Sequence, residues 1–139
     1  ETYKKLVQLK NIIGIKEANS NIDHIQNLFC AVKDKTKIFS GNDNLNYIFK
    51  CLGASGFISV TSNAFPKQIV QSYESNKKCL TFHNKFYEFN KLMFVEPNPV
   101  PIKYVLSCMD LIKENVRMPL SKLSKQNKIK INKALKELI

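Results

Sequence analysis

Residues 11–20 read NIIGIKEANS. The run Ile12-Ile13-Gly14-Ile15 is apolar and stops abruptly in Lys16 and Glu17. A short β-branched run bounded by polar residues predicts a strand. On either side the spacing is helical. ETYKKLVQL places Tyr3, Leu6, Val7 and Leu9 together, and NIDHIQNLFCAV places Ile22, Ile25, Leu28 and Phe29 on one face. Further on, TKIFSG reads as a second strand, stopped by Gly41. NLNYIFKCLGA is a helix with Leu45, Ile48, Phe49 and Leu52 inward and Gly53 near its end. GFISVT is a third strand, and FPKQIVQSYES opens a helix with Pro66 in its first turn.

Strands that alternate with helices require right-handed crossovers and pair in parallel. The fold class is therefore α/β. These strands are apolar without clear alternation, which predicts cover on both faces. After residue 77 the pattern is helical only. KCLTFHNKFYEFNKLMFV is one aromatic-rich helix, EPNPVP a stiff turn, IKYVLSCMDLIKE a helix, and LSKQNKIKINKALKELI a last one. Three parallel strands fit either part of a (β/α)8 barrel, which needs roughly 250 residues, or a small open sheet with two edges.

The chain has 139 residues and is 44% hydrophobic, sufficient for a core. Its sequence begins ETYKKLVQLK, without Met and already helical in pattern, as expected of a chain cut from something longer. No apolar run approaches the roughly eighteen residues of a membrane span, so no membrane partner is expected. The net charge is +11, which raises a basic nucleic-acid-binding module as an alternative. Yet Arg117 is the only arginine among 22 basic residues. Phosphate readers favour the bidentate guanidinium, so nucleic acid is not the expected partner. Cys30, Cys51, Cys79 and Cys108 are widely spaced, with no C-x-x-C pair. They read as reduced, mostly buried thiols of a cytoplasmic protein, with no metal site. His24 and His83 are isolated and read as ordinary helix residues.

In both α/β architectures chemistry gathers at the carboxyl ends of the strands. Those ends are Lys16 and Glu17, Ser40 and Gly41, and Ser59 to Thr61. A lysine in a dry mouth has its charge disfavoured and becomes a nucleophilic amine able to form a Schiff base. By position alone, a solvated strand-terminal lysine is the favoured reading.

Four blocks decide between these readings. IIGIKEANSNIDHI, IFSGNDNLNYIFKCLGASGFISVTSN, LMFVEPNPVPIKYVLSCMDLI and VRMPLSKLS resemble, in order and spacing, the C-terminal half of dihydrodipicolinate synthase. The resemblance implies the C-terminal part of a (β/α)8 barrel, with residues 1–76 supplying three strands and residues 77–139 a helical region. It implies a lyase of lysine and diaminopimelate biosynthesis that condenses pyruvate with aspartate semialdehyde, without a cofactor, in a homotetramer. By position it makes Lys16 the imine-forming lysine. Gly41 becomes the pocket glycine of the SG turn, and Ile58 the residue whose backbone lies against pyruvate.

Two positions depart from the family pattern. Asn42 stands where the first of two aspartates is usual. Ser20 stands where glycine is usual, so a backbone with φ > 0 there would be strained. The family's relay tyrosine, its hydroxyl partners and its carboxylate-binding arginine belong to the N-terminal half. The five tyrosines here match none of those roles. A complementary N-terminal half chain would then be a partner, and this chain alone, whether fragment or degenerate remnant, is expected to lack turnover.

Overall fold

The computed structural model describes residues 1–139. The elements run α1 (Thr2–Leu6), β1 (Gly14–Glu17), α2 (Ile22–Val32), β2 (Lys37–Ser40), a 3-10 turn (Asp43–Leu45), α3 (Asn46–Cys51), β3 (Gly56–Phe57), a second 3-10 turn (Thr61–Asn63), α4 (Pro66–Tyr73), α5 (Asn76–Leu92), α6 (Val100–Cys108) and α7 (Lys125–Lys136). The strands form one parallel sheet in the order β1-β2-β3. Lys16 pairs with Phe39 and Glu17 with Ser40; Phe39 in turn pairs with Gly56.

The sheet is covered on one face, not two. Ile15 and Glu17 are buried in β1, and Ile38 and Ser40 in β2, while Lys16 and Lys37 are exposed. Helices cover the first set. Ile15 and Ile38 pack with Ile25, Leu28, Phe29 and Val32 of α2 and with Phe49 of α3. Gly14, Lys16, Lys37, Phe39 and Gly56 line the other face. An apolar run is compatible with either arrangement, because Gly14 and Phe39 satisfy the pattern without being covered.

A second core lies among the later helices. Phe82, Phe86 and Phe89 of α5 pack with Phe65, Ile69, Val105, Ile131 and Leu135. Phe82 and Phe86 stack with centroids 4.1 Å apart, and Phe65 meets Phe86 edge-on at 5.1 Å. Helix α7 thus buries Ile131 and Leu135 against other helices rather than against the sheet. Glu96, in EPNPVP, accepts from the Ser124 N–H at 3.1 Å and from Asn127 Nδ2 at 2.8 Å, which ties that turn to the start of α7.

Three sequence expectations are corrected. Helix α6 stops at Cys108, well before Glu114. Asp110 adopts φ 56°, and the N–H groups of Asp110 and Leu111 bond to Ser107 and Leu106 carbonyls, the paired bonds of a left-handed helix terminus. Strand β3 is only Gly56–Phe57. Of the cysteines only Cys79 is buried. Cys51 and Cys108 end their helices and Cys30 lies on the outward side of α2, so all three meet solvent.

Candidate functional site

The three strand ends converge, and backbone bonds lace them together. The Gly41 N–H donates to Glu17 O at 2.8 Å, and the Ile58 N–H donates to Ser40 O at 2.7 Å. Lys16, Gly41 and Ile58 are therefore held along the carboxyl end of the sheet. The Ile58 N–H is engaged, so what Ile58 can offer a ligand is its carbonyl. Its side chain is 47% exposed.

Lys16 stands on the open face and is exposed. The dry mouth expected of it is not formed by residues of this chain, because nothing in residues 1–139 covers that face. None of the five ion pairs involves it. Its stem is held against Gly41. A Cβ added at Gly41 would stand 2.6 Å from Lys16 Cε, 3.1 Å from its Cγ and 3.2 Å from Ala18 Cβ. Only glycine leaves room for the lysine to run along the SG turn.

Phe39 supplies an apolar surface on the same face as Lys16. It is in register with Lys16 and Gly56, so it shares their face. A Cβ at Gly14 would lie 3.0 Å from Phe39 Cε2, and one at Gly56 would lie 3.3 Å from Cδ1. The ring thus lies across the sheet between two strand glycines. Phe39 escaped the sequence reading. The signal for it was the glycine in each neighbouring strand.

Asp43 links the second strand end to the third. It is 3% exposed. Its Oδ2 accepts from the N–H groups of Val60 at 2.9 Å and Thr61 at 3.1 Å, and its Oδ1 accepts from Asn46 Nδ2 at 3.1 Å. Asp43 is thereby a brace and not a free carboxylate. Asn42 caps the turn, its Oδ1 accepting from the Asn44 N–H at 3.1 Å. Ser20 causes no strain: Asp110 is the only non-glycine residue with positive φ.

Behind β1, Glu17 is 6% exposed. It accepts from Tyr3 Oη at 2.9 Å, the Asn19 N–H at 2.7 Å and His24 Nε2 at 2.8 Å. Burial alone would raise its carboxyl pKa, but the bonds from Asn19, His24 and Tyr3 outweigh this and hold it below its ordinary value. The same carboxylate, accepting the Tyr3 hydroxyl, pushes that phenol up, and burial adds to the effect. None of the three partners of Glu17 was identified from sequence. A cavity of about 680 Å³ lies elsewhere, between α4 and α5, with Gln71, Lys78, Phe82 and Lys85 in its walls.

The sequence model of the dihydrodipicolinate synthetase family matches residues 1–138. The chain belongs to the dihydrodipicolinate synthetase family. Among curated members, the 4-hydroxy-tetrahydrodipicolinate synthase of Thermosipho melanesiensis is 37% identical over 142 residues, covering 97% of this chain and 49% of the relative. Dihydrodipicolinate synthase from Thermotoga maritima superposes with TM-score 0.92 at 35% identity, over 98% of this chain and 49% of that one. The chloride-inhibited dihydrodipicolinate synthase of Acinetobacter baumannii complexed with pyruvate also gives 0.92, at 33% identity, over 98% and 48%. The chain spans about half the length of the family members it matches. No helix is long and apolar enough to cross a membrane.

Proposed function

We propose that this chain is the lysine-bearing C-terminal half of a 4-hydroxy-tetrahydrodipicolinate synthase, and that Lys16 is its nucleophile. The carrying observation is the lysine at the end of β1, on the open face, with its stem packed on Gly41. Residues 1–76 are three successive strands of a (β/α)8 barrel in this reading, and residues 77–139 are a helical appendage. The open face of the sheet is then the barrel interior, and the other half of the family's length covers it. That cover supplies the desolvation that a neutral amine needs.

The amine nitrogen adds to the C2 carbonyl of pyruvate, and loss of water leaves an imine. Loss of a C3 proton gives an enamine. Its C3 then bonds to the aldehyde carbon of aspartate semialdehyde, whose oxygen takes up a proton. A solved family member complexed with pyruvate supports the choice of first substrate. Ile58 presents its carbonyl to the bound ketoacid, Gly41 leaves space for it beside Lys16, and Phe39 is the apolar wall. The proton-transfer groups, including the relay tyrosine, belong to the other half in this reading.

The test is condensation of pyruvate with aspartate semialdehyde by the whole protein, against its Lys16→Arg variant. A guanidinium stays charged and cannot add to a ketone. Activity that is present in the parent and abolished in the variant is the expected result. Undiminished condensation by the variant refutes the assignment.

A further inference from the structure

Glu17 follows Lys16 directly and faces the other way. Successive strand residues alternate sides, so Lys16 stands on the open face and Glu17 lies under α1 and α2. It cannot reach a substrate carried by Lys16. Both of its oxygens are engaged: Oε2 accepts from Tyr3 Oη and His24 Nε2, and Oε1 from the Asn19 N–H. Tyr3 on α1 and His24 on α2 are the titratable groups that face it. An apolar residue would fill this wall at lower cost, since a buried charge seldom adds net stability and earns its place by fixing one arrangement.

That arrangement governs the lysine. The bond to Asn19 folds the chain back immediately after Lys16 and brings Ala18 up to the SG turn, where a Cβ at position 41 would crowd both Ala18 and the lysine stem. Glu17 O also receives the Gly41 N–H at 2.8 Å. We infer that Glu17 is a positioning residue for Lys16, clamping the end of β1 from behind so that the Ala18 and Gly41 surfaces hold the lysine stem in one direction. The ionised Glu17 carboxylate can only accept, so His24 Nε2 is the donor of that bond.

The inference rests on Lys16 being the nucleophile, and two readouts on the whole protein separate the claims. The first is the rate of borohydride trapping at saturating pyruvate. In Glu17→Gln one acceptor becomes a donor facing donors, and trapping at Lys16 should slow by roughly tenfold to a hundredfold, as for a slightly misplaced reacting group. The second is amide hydrogen exchange. Residues 40–42 should exchange faster in the variant while the buried turns of α2 keep their protection. A general loss of stability would not produce that split. Unchanged trapping in Glu17→Gln overturns the inference. If the parent traps no pyruvate, the functional reading fails and exchange alone decides: faster exchange at 40–42 supports the clamp, and unchanged exchange refutes it. If Glu17→Gln does not fold, Tyr3→Phe decides by the same readouts, since it removes one donor and keeps the ring.

Discussion

A methyl group at position 41 and the lysine at position 16 cannot both keep their places. In Gly41→Ala the new Cβ would overlap Lys16 Cε, the end of a flexible side chain. The fold can yield there by moving the lysine, so the unfolding free energy should change by about 0.5 kcal/mol or less. Trapping of pyruvate should nevertheless fall sharply. Urea titration beside borohydride trapping checks both halves, and a large loss of stability would contradict the geometry. The carboxylate behind the lysine sets a pH dependence. Glu17 is held below its ordinary 4.5, so folding favours the ionised form. Its contribution is complete above that ordinary value and is lost as pH falls through the lowered one. Tyr3 is raised above its ordinary 10.0, so folding favours the phenol, and its contribution is lost as pH rises through the raised value. Urea midpoints of the parent and Glu17→Gln should therefore differ at neutral pH and converge in acid. Those of the parent and Tyr3→Phe should draw together above pH 10.0.

Between the strand ends, Asp43 does the bracing. Asp43→Ala would strip the Val60 and Thr61 N–H groups and Asn46 of their acceptor in a buried setting. A cost of about 3 kcal/mol is expected, read as a fall in the denaturant midpoint. At this scale the sequence was informative where the signal is local. The three strands, their order and the helices between them follow from apolar spacing, and Pro66 opens α4 as its fixed φ dictates. Lys16, Gly41 and Ile58 were singled out together by the family resemblance, and the structure brings them to the carboxyl end of the sheet. What the sequence did not disclose is long-range. Asp43 meets residues 17 and 18 positions away, and Tyr3 meets Glu17 across 14. His24 had no local mark to distinguish it from any helix histidine. The early stop of α6 depends on an aspartate in a left-handed conformation, which periodicity cannot detect.

As a whole the chain presents a three-stranded sheet with two unpaired edges, β1 and β3, and one uncovered face. Ile13 is 81% exposed and Ile58 47%, and Phe39 is only half-buried. Such edges and apolar surface invite association. The 139-residue chain made alone should self-associate at micromolar concentration in sedimentation velocity. A clean monomer would count against the half-barrel reading. Adding a polypeptide that supplies the other half of the family's length should suppress the association by covering that face. The central claim, that Lys16 is the imine-forming residue, is met most directly by covalent mapping. The chain, combined with such a partner, is incubated with pyruvate, reduced with borohydride, digested and sequenced by mass. One adduct is predicted among the 21 lysines, in the peptide NIIGIKEANSN and absent from Lys16→Arg. Labelling spread over many lysines, or unchanged in Lys16→Arg, would contradict it.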